Sequence, residues 1–330
     1  MPGDALSGAA AAAARPNRGT ALAACTSLCL YAAGMALNDW ADRDVDALER
    51  PSRPVPSGRI RPASALAAAG GLTVAGLAAA ASAGRPALVT ALALSGTVWA
   101  YDLRLKQTAA GPAAMAAARS LDLLLGAVAS GHAARGRGPL EAGYVRRATG
   151  APPRHPTWRS AAAWRSAAAW RSAAILGSHT LATTVVSRRE AFGGSTSAPL
   201  AAVATTATIS AVLGRGGAPG RCRGGTIRSA VHRPEPAVPL TWSAAVSHAA
   251  ARALMTGSVL LYASTAGRPG ICAALNPSPQ LTQQAVGGGV RAMIPLQAAL
   301  ALRHGGTGSA LSVLGLAPVA RRLARRFSAT

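Results

Sequence analysis

The sequence predicts an all-α, multi-pass transmembrane bundle of about eight or nine helices, on three observations. Half of the 330 residues are hydrophobic and only 14% are charged, a composition suited to a bilayer or a very apolar core. Uncharged windows recur at membrane-crossing length, and a helix needs roughly 20 apolar residues to cross. Glycine and proline fall inside those windows, as they do more often in transmembrane than in soluble helices.

Taken in order, residues 19–38 form the first full window. Windows 62–84 and 86–101 follow, separated by Arg85 alone, which leaves no room for a soluble domain between them. The stretch 113–132 is apolar apart from Arg119 and Asp122, and 172–187 and 191–214 are uncharged up to Arg188 and Glu190. The last spans are 239–266, interrupted by Arg252, then 290–302 and 304–320. Alanine contributes little insertion energy beside leucine or isoleucine, so a soluble protein with Ala-rich core helices is the competing architecture. Residues 1–330 read as one integral-membrane domain with two biased insertions, the Trp-Arg-Ser-Ala-Ala-Ala repeat within 151–174 and the arginine-rich loop 215–239. The repeat's six-residue period turns about 240° per step on a helix, so Trp158, Trp164 and Trp170 share no face. Only residues 4–14 precede Arg15, about half a span, which predicts an incomplete first helix.

Disorder is excluded, because disordered chains combine high charge with low hydrophobicity. Four cysteines without CxxC or zinc spacing exclude a disulfide scaffold. The first residues lack the basic start of a secretory signal. A net charge of +23 would suit a polyanion, yet Lys106 is the only lysine beside 33 arginines, a coding bias that discounts the sum. Few aromatics are available for stacking and no nucleic-acid motif is present, so no nucleic-acid partner is expected. The tail around Arg321, Arg322, Arg325 and Arg326 suits anionic headgroups instead.

Five of the eleven acids lie within 39–49: Asp39, Asp42, Asp44, Asp46 and Glu49. On a continuous helix Asp42 lies about 60° and Asp46 about 20° from Asp39, while Asp44 points about 140° away. Three carboxylates on one face repel one another and need cations. Oxygen ligands with room for water suit Mg²⁺, which takes one or two carboxylates plus substrate phosphates. Arg50, Arg53, Arg59 and Arg61 follow among Pro51, Pro54 and Pro56, which predicts an extended segment whose guanidinium groups fork onto phosphate. A solvated loop obeying the positive-inside rule explains the arginines but not the carboxylates in register.

Asn38-Asp39-Trp40-Ala41-Asp42-Arg43-Asp44-Val45-Asp46, followed by Arg53-Pro54-Val55-Pro56-Ser57-Gly58, resembles the first aspartate-rich motif of the UbiA superfamily of intramembrane prenyltransferases. Tyr101-Asp102-Leu103-Arg104-Leu105-Lys106 is similar to that family's Tyr-x-x-x-Lys loop. The resemblance implies about nine helices around a polar cavity open to the cytoplasm, in a multi-pass protein of the cell membrane. It implies a Mg²⁺ cofactor at Asp39, Asp42 and Asp46, an isoprenyl diphosphate donor, an acceptor it does not identify, and surrounding membrane lipid as partners. Asn38, Arg53, Arg59, Tyr101 and Lys106 would contact the donor, and Asp102 would pair with Lys106 one turn away.

The family's second Asp-x-x-x-Asp motif is missing. In its place stand His179, Thr183, Val186 and Glu190 at i, i+4, i+7 and i+11, on one helical face. This resembles a divergent UbiA-like branch. Glu190, with His179, replaces the second metal site in weaker form, or Arg188 meets the diphosphate directly. A buried hydrogen-bonded histidine is the structural alternative for His179. Arg119 and Asp122, one turn apart in an apolar helix, form a self-neutralising pair that either lines the cavity or packs the bundle. The activity expected is prenyl transfer from a diphosphate donor. The alternative is a non-catalytic membrane protein that binds or moves an isoprenoid or pigment precursor.

Overall fold

Helices make up every regular element of the computed structural model, which describes residues 2–135, 166–188, 194–215 and 242–327. They are α1 (Pro2–Ala11), α2 (Arg18–Ala41), α3 (Arg43–Glu49), α4 (Pro62–Ala83), α5 (Arg85–Ala100), a π turn (Tyr101–Leu105) and α6 (Gly111–Arg135). Then come α7 (Ala167–Ser187), α8 (Ser197–Arg215), α9 (Trp242–Leu275), α10 (Pro279–Arg303) and α11 (Thr307–Phe327). Among the described residues, the nine longer helices correspond one to one with the nine apolar windows, three of which carry charged residues. Five of them, α2, α4, α6, α8 and α10, are long and apolar enough to cross a membrane.

Helix ends follow the local chemistry. Asn17 caps α2 by accepting from the Thr20 amide while Thr20 Oγ1 accepts from the Asn17 amide, a reciprocal capping box. Proline stands in the first turn of α4, α5 and α10, where no N–H is needed. Gly84, at φ 120°, turns α4 into α5, a backbone state that only glycine adopts freely. The window 290–302 proved too short, because α10 starts at Pro279 and absorbs Gln280, Gln283 and Gln284.

Large apolar side chains point outward, with Leu28, Val74, Val89, Leu200, Leu260 and Leu311 each at least half exposed. Water would penalise such a surface and lipid does not. Inside, Leu123, Leu124, Leu176, Leu213, Tyr262, Leu296 and Leu300 form one cluster from α6, α7, α8, α9 and α10. A second cluster joins α2, α4, α5 and α6 through Leu30, Ala80, Ala91, Leu94, Leu125 and Val128.

At ten residues α1 is too short to cross, yet it is not peripheral, since eight of its residues are buried. Small residues let it lie directly on α6. A Cβ on Gly8 would stand 2.1 Å from the Leu123 carbonyl oxygen, and one on Gly126 would stand 2.5 Å from Ala5 Cα. Dispersion contacts at such separation hold membrane helices together where no hydrophobic drive exists between them.

Candidate functional site

The site begins where α2 gives way to α3. Asp42 leaves helical geometry, at φ −90° and ψ 1°, but its amide still donates to Asn38 O and its carbonyl still accepts from the Asp46 amide. The chain therefore bends without losing its ladder. The continuous helix assumed from sequence is corrected to two helices joined at Asp42. Asp39 and Asp46 stay near each other across the bend, whereas Asp44 points outward and pairs with Arg43 at 3.4 Å. Arg43 also lies over the Trp40 ring, 5.0 Å from its centre.

The proline-rich segment is not extended as expected. Successive turns close it, with amide donations from Arg53 to Arg50 O, Ser57 to Arg53 O and Ile60 to Pro54 O, and buried Val55 anchors it. The turns carry Arg53 back over the acids. Its Nη1 donates to Asp39 Oδ1 at 3.1 Å and to Asp46 Oδ2 at 3.0 Å. Two carboxylates thus converge on one cationic nitrogen, and Asp46 is almost completely buried. Arg59 instead bonds Ser57 Oγ and Ser52 O on the exposed outside of the segment.

The π turn supplies the opposite wall. π segments re-aim side chains where they occur and cluster at functional sites. Here Lys106 Nζ reaches Asp42 Oδ1, not Asp102 as its one-turn spacing suggested. Asp102 is 5% exposed and makes neither hydrogen bond nor ion pair with the described residues. Burial first, and the Asp42 charge after it, push its carboxyl up to about 6 against the pull of Lys106. Burial likewise raises the Tyr101 phenol, with Asp102 and Asp42 adding to the shift.

Behind these groups a cavity of about 440 Å³ runs between α2, α5 and α6. Asn38, Asp39, Arg53, Tyr101 and Asp102 stand at its mouth, and Tyr31, Met35, Leu94, Val98 and Met115 form its apolar middle. Its inner end is polar again, with Ser27, Arg119 and Asp122. Ser27 lies twelve residues before Asp39 on α2, about 18 Å of helix rise. Ser27 Oγ donates to Asp122 Oδ2 at 2.7 Å. Arg119 Nη1 donates to Asp4 Oδ2 at 2.8 Å, and Gln297 Nε2 donates to Asp4 Oδ1 at 2.7 Å. Asp4 was not singled out from sequence, although a lone acid in an Ala-rich helix is a pointer to a buried partner.

The α7 residues lie elsewhere. His179 is buried, with Nε2 2.9 Å from the Gly289 carbonyl oxygen and Nδ1 3.1 Å from the Tyr262 hydroxyl, and it does not line the cavity beside Asp39. Arg188 donates to the Thr108 carbonyl just outside the mouth. Glu190 lies outside the described residues, as does the repeat up to residue 165. Among the described residues no three His, Cys, Asp or Glu side chains converge as a preformed metal cluster. The hard oxygens of Asp39 and Asp46, already sharing one cation, still fit a Mg²⁺ that completes its shell with water and phosphate.

A many-helix bundle with membrane-length helices, and with carboxylates, an arginine and a lysine at the mouth of an apolar cavity, defines a class of helical intramembrane proteins. The chain belongs to the UbiA prenyltransferase family, whose model matches residues 5–213. It is 40% identical over 97 residues to a digeranylgeranylglyceryl phosphate synthase of Methanopyrus kandleri, covering 29% of this chain and 36% of the relative. It is 42% identical over 79 residues to the synthase of the same name from Methanothrix thermoacetophila, covering 24% and 30%. The matched stretch is thus about a third of those relatives' own length. A solved apo UbiA homologue from Aeropyrum pernix K1 shares the fold at a TM-score of 0.55 and 16% identity, over 89% of this chain and 95% of that one. A solved membrane digeranylgeranylglyceryl phosphate synthase gives a TM-score of 0.50 at 13% identity, over 92% and 91%.

Proposed function

We propose that the protein is an intramembrane prenyltransferase that moves an isoprenyl group from a prenyl diphosphate to an acceptor. One observation carries the proposal: two carboxylates converge on Arg53 at the mouth of a cavity whose next stretch is apolar. An anionic head and a hydrocarbon tail match those two zones. Asp39 and Asp46, with Asp42 beside them, would hold Mg²⁺. When bound, the ion neutralises charge growing on the diphosphate as it leaves. Arg53 then exchanges its carboxylates for phosphate oxygens, a bidentate partner that guanidinium favours. Lys106 and Tyr101 stand close enough to the mouth to contact the same group, and Arg188 and Arg59 lie further out as attractors. The walls at Tyr31, Met35, Leu94 and Val98 take the tail and keep water from the allylic cation. We place the mouth on the cytoplasmic side of the cell membrane, because Arg50, Arg53, Arg59 and Arg61 crowd that end.

The test is Mg²⁺-dependent release of diphosphate and transfer of label from a panel of prenyl diphosphates in membranes. Asp39→Ala and Asp42→Ala should each abolish both; full activity in both variants would sink the proposal. A non-catalytic binder of isoprenoids is the alternative, supported by the engagement of Asp42 with Lys106. Such a protein would retain a labelled prenyl diphosphate unchanged.

A further inference from the structure

A second space in the bundle shares no lining residue with the Asp39 cavity. It is a groove of about 610 Å³ between α7 and α8, walled by Ile175, Ala182 and Val185 on one side and by Ala198, Ala201 and Val212 on the other. Alanine at these positions leaves room that larger side chains would fill. Thr205 and Thr208 also line it, but their hydroxyls donate to the Ala201 and Ala204 carbonyls and are spent on their own helix. Leu181, Val185 and Val212 are exposed along the groove. It therefore opens on the outside of the bundle, beside a helix long and apolar enough to cross a membrane.

The α7 wall runs from Ala174 to Val185, about 17 Å of helix rise, and the α8 wall from Ala198 to Val212, about 21 Å. Half of a hydrocarbon core is about 15 Å thick, so the groove is long enough for one acyl chain of a single leaflet. Cations gather at one end of it. Arg171 continues the α7 row one turn before Ile175, and Arg215 continues the α8 row three residues after Val212. Arg303 of α10 joins them, its Nη1 donating to the Val212 carbonyl at 3.3 Å. A contact of 3.1 Å between Ser172 and His304 brings the start of α7 to the same place. Arg171 and Arg215 are exposed, and among the described residues no carboxylate pairs with any of the three. At the other end Arg188 is engaged by the Thr108 carbonyl.

We propose that this groove binds an anionic phospholipid of the bilayer, with one acyl chain between α7 and α8 and the phosphate held by Arg171, Arg215 and Arg303. Neighbouring guanidinium groups repel one another, and each can fork onto phosphate oxygens. The apolar length and the cationic end match two parts of one molecule. A zwitterionic lipid suits the site less, because it brings its own ammonium to the arginines. No acidic or basic side chain lines the groove itself, so the lipid is held there and not turned over. It fastens α7 to α8 and, through Arg303, to α10. The site stands independently of the transfer reaction.

The test uses the full chain in an uncharged detergent, titrated with palmitoyl-oleoyl phosphatidylglycerol or with the phosphatidylcholine of the same chains, with bound lipids counted by native mass spectrometry. One phosphatidylglycerol should bind about tenfold more tightly than phosphatidylcholine. Arg171→Gln, Arg215→Gln and Arg303→Gln should each weaken it about fivefold, the worth of one cation near an anionic lipid surface. The triple variant should erase the preference, whereas Arg303→Lys, which keeps the charge, should retain most of it. Ala204→Phe, which fills the groove, should weaken both lipids, and Arg85→Gln at the start of α5 should weaken neither. Thermal melts of the lipid-free variants check folding. Glycerol phosphate, a head group without chains, should not compete. Equal affinity for the two lipids, a preference that survives the triple variant, binding unchanged in Ala204→Phe, or a dimer in place of the lipid-bound monomer would each overturn the site. All of these readings are independent of whether the protein transfers a prenyl group.

Discussion

At the residue scale, the proposed function requires Arg53 to exchange partners. Arg53 holds Asp39 and Asp46 together, so Arg53→Ala should leave two close carboxylates facing each other. We expect tighter Mg²⁺ retention without donor but at least tenfold weaker donor binding, about 1.4 kcal/mol or more, measurable by titration with the uncleaved thiolo analogue of the donor. Asp4 is fully buried against Arg119. Removing one member of a buried pair costs about 3–5 kcal/mol because the other charge is stranded, so Asp4→Ala should lower the thermal midpoint in detergent far more than the exposed Asp44→Ala. Asp102 contributes a pH effect of opposite sign to that of an ordinary paired aspartate. Its folded carboxyl is raised from 3.8 to about 6, so the folded state takes up a proton that the unfolded chain refuses between those values. Its effect on stability is therefore favourable as pH falls through about 6 and complete below 3.8. Asp102→Asn should be more stable than wild type at neutral pH and lose the gain on mild acidification, as followed by thermal melts in a pH series.

At the element scale, glycine placement decides which helices touch. Gly126 lies on the α1 backbone, whereas Gly96 of α5 faces open space. Gly126→Ala should destabilise the bundle by about 1–3 kcal/mol through forced separation of α1 and α6. Gly96→Ala should be neutral or gain up to about 1 kcal/mol from helix propensity. Comparison of the two melting curves checks both. The nine long helices were legible in the sequence because each apolar window is a local property, and their ends carry recognisable caps and prolines. The bend at Asp42 was not, because Asp and Arg residues on both sides are compatible with one continuous helix. Nor were the turns of residues 50–61, since three prolines suit an extended strand and a series of tight turns equally.

At the scale of the whole molecule, the outward-facing leucines and valines match a lipid surround, so the protein should leave membranes with detergent and stay with them in high salt. Release by salt alone would mean that the +23 charge, not the apolar surface, holds it there. The family and the first motif were readable from a few linear positions, because Asn38, Asp39, Asp42, Asp46 and Arg53 lie within one short stretch. Their chemical type and spacing already placed hard carboxylate oxygens beside an arginine whose fork suits phosphate. Only the tertiary structure decided the partners across distance: Arg119 with Asp4 and Gln297, Lys106 with Asp42, and Asp102 left facing the cavity. Sequence spacing ranks neighbours along one helix, and by that measure Lys106 belongs to Asp102. Packing three helices around a common cavity brought Asp42 nearer to the lysine than its own helical neighbour, and no local pattern encodes that distance.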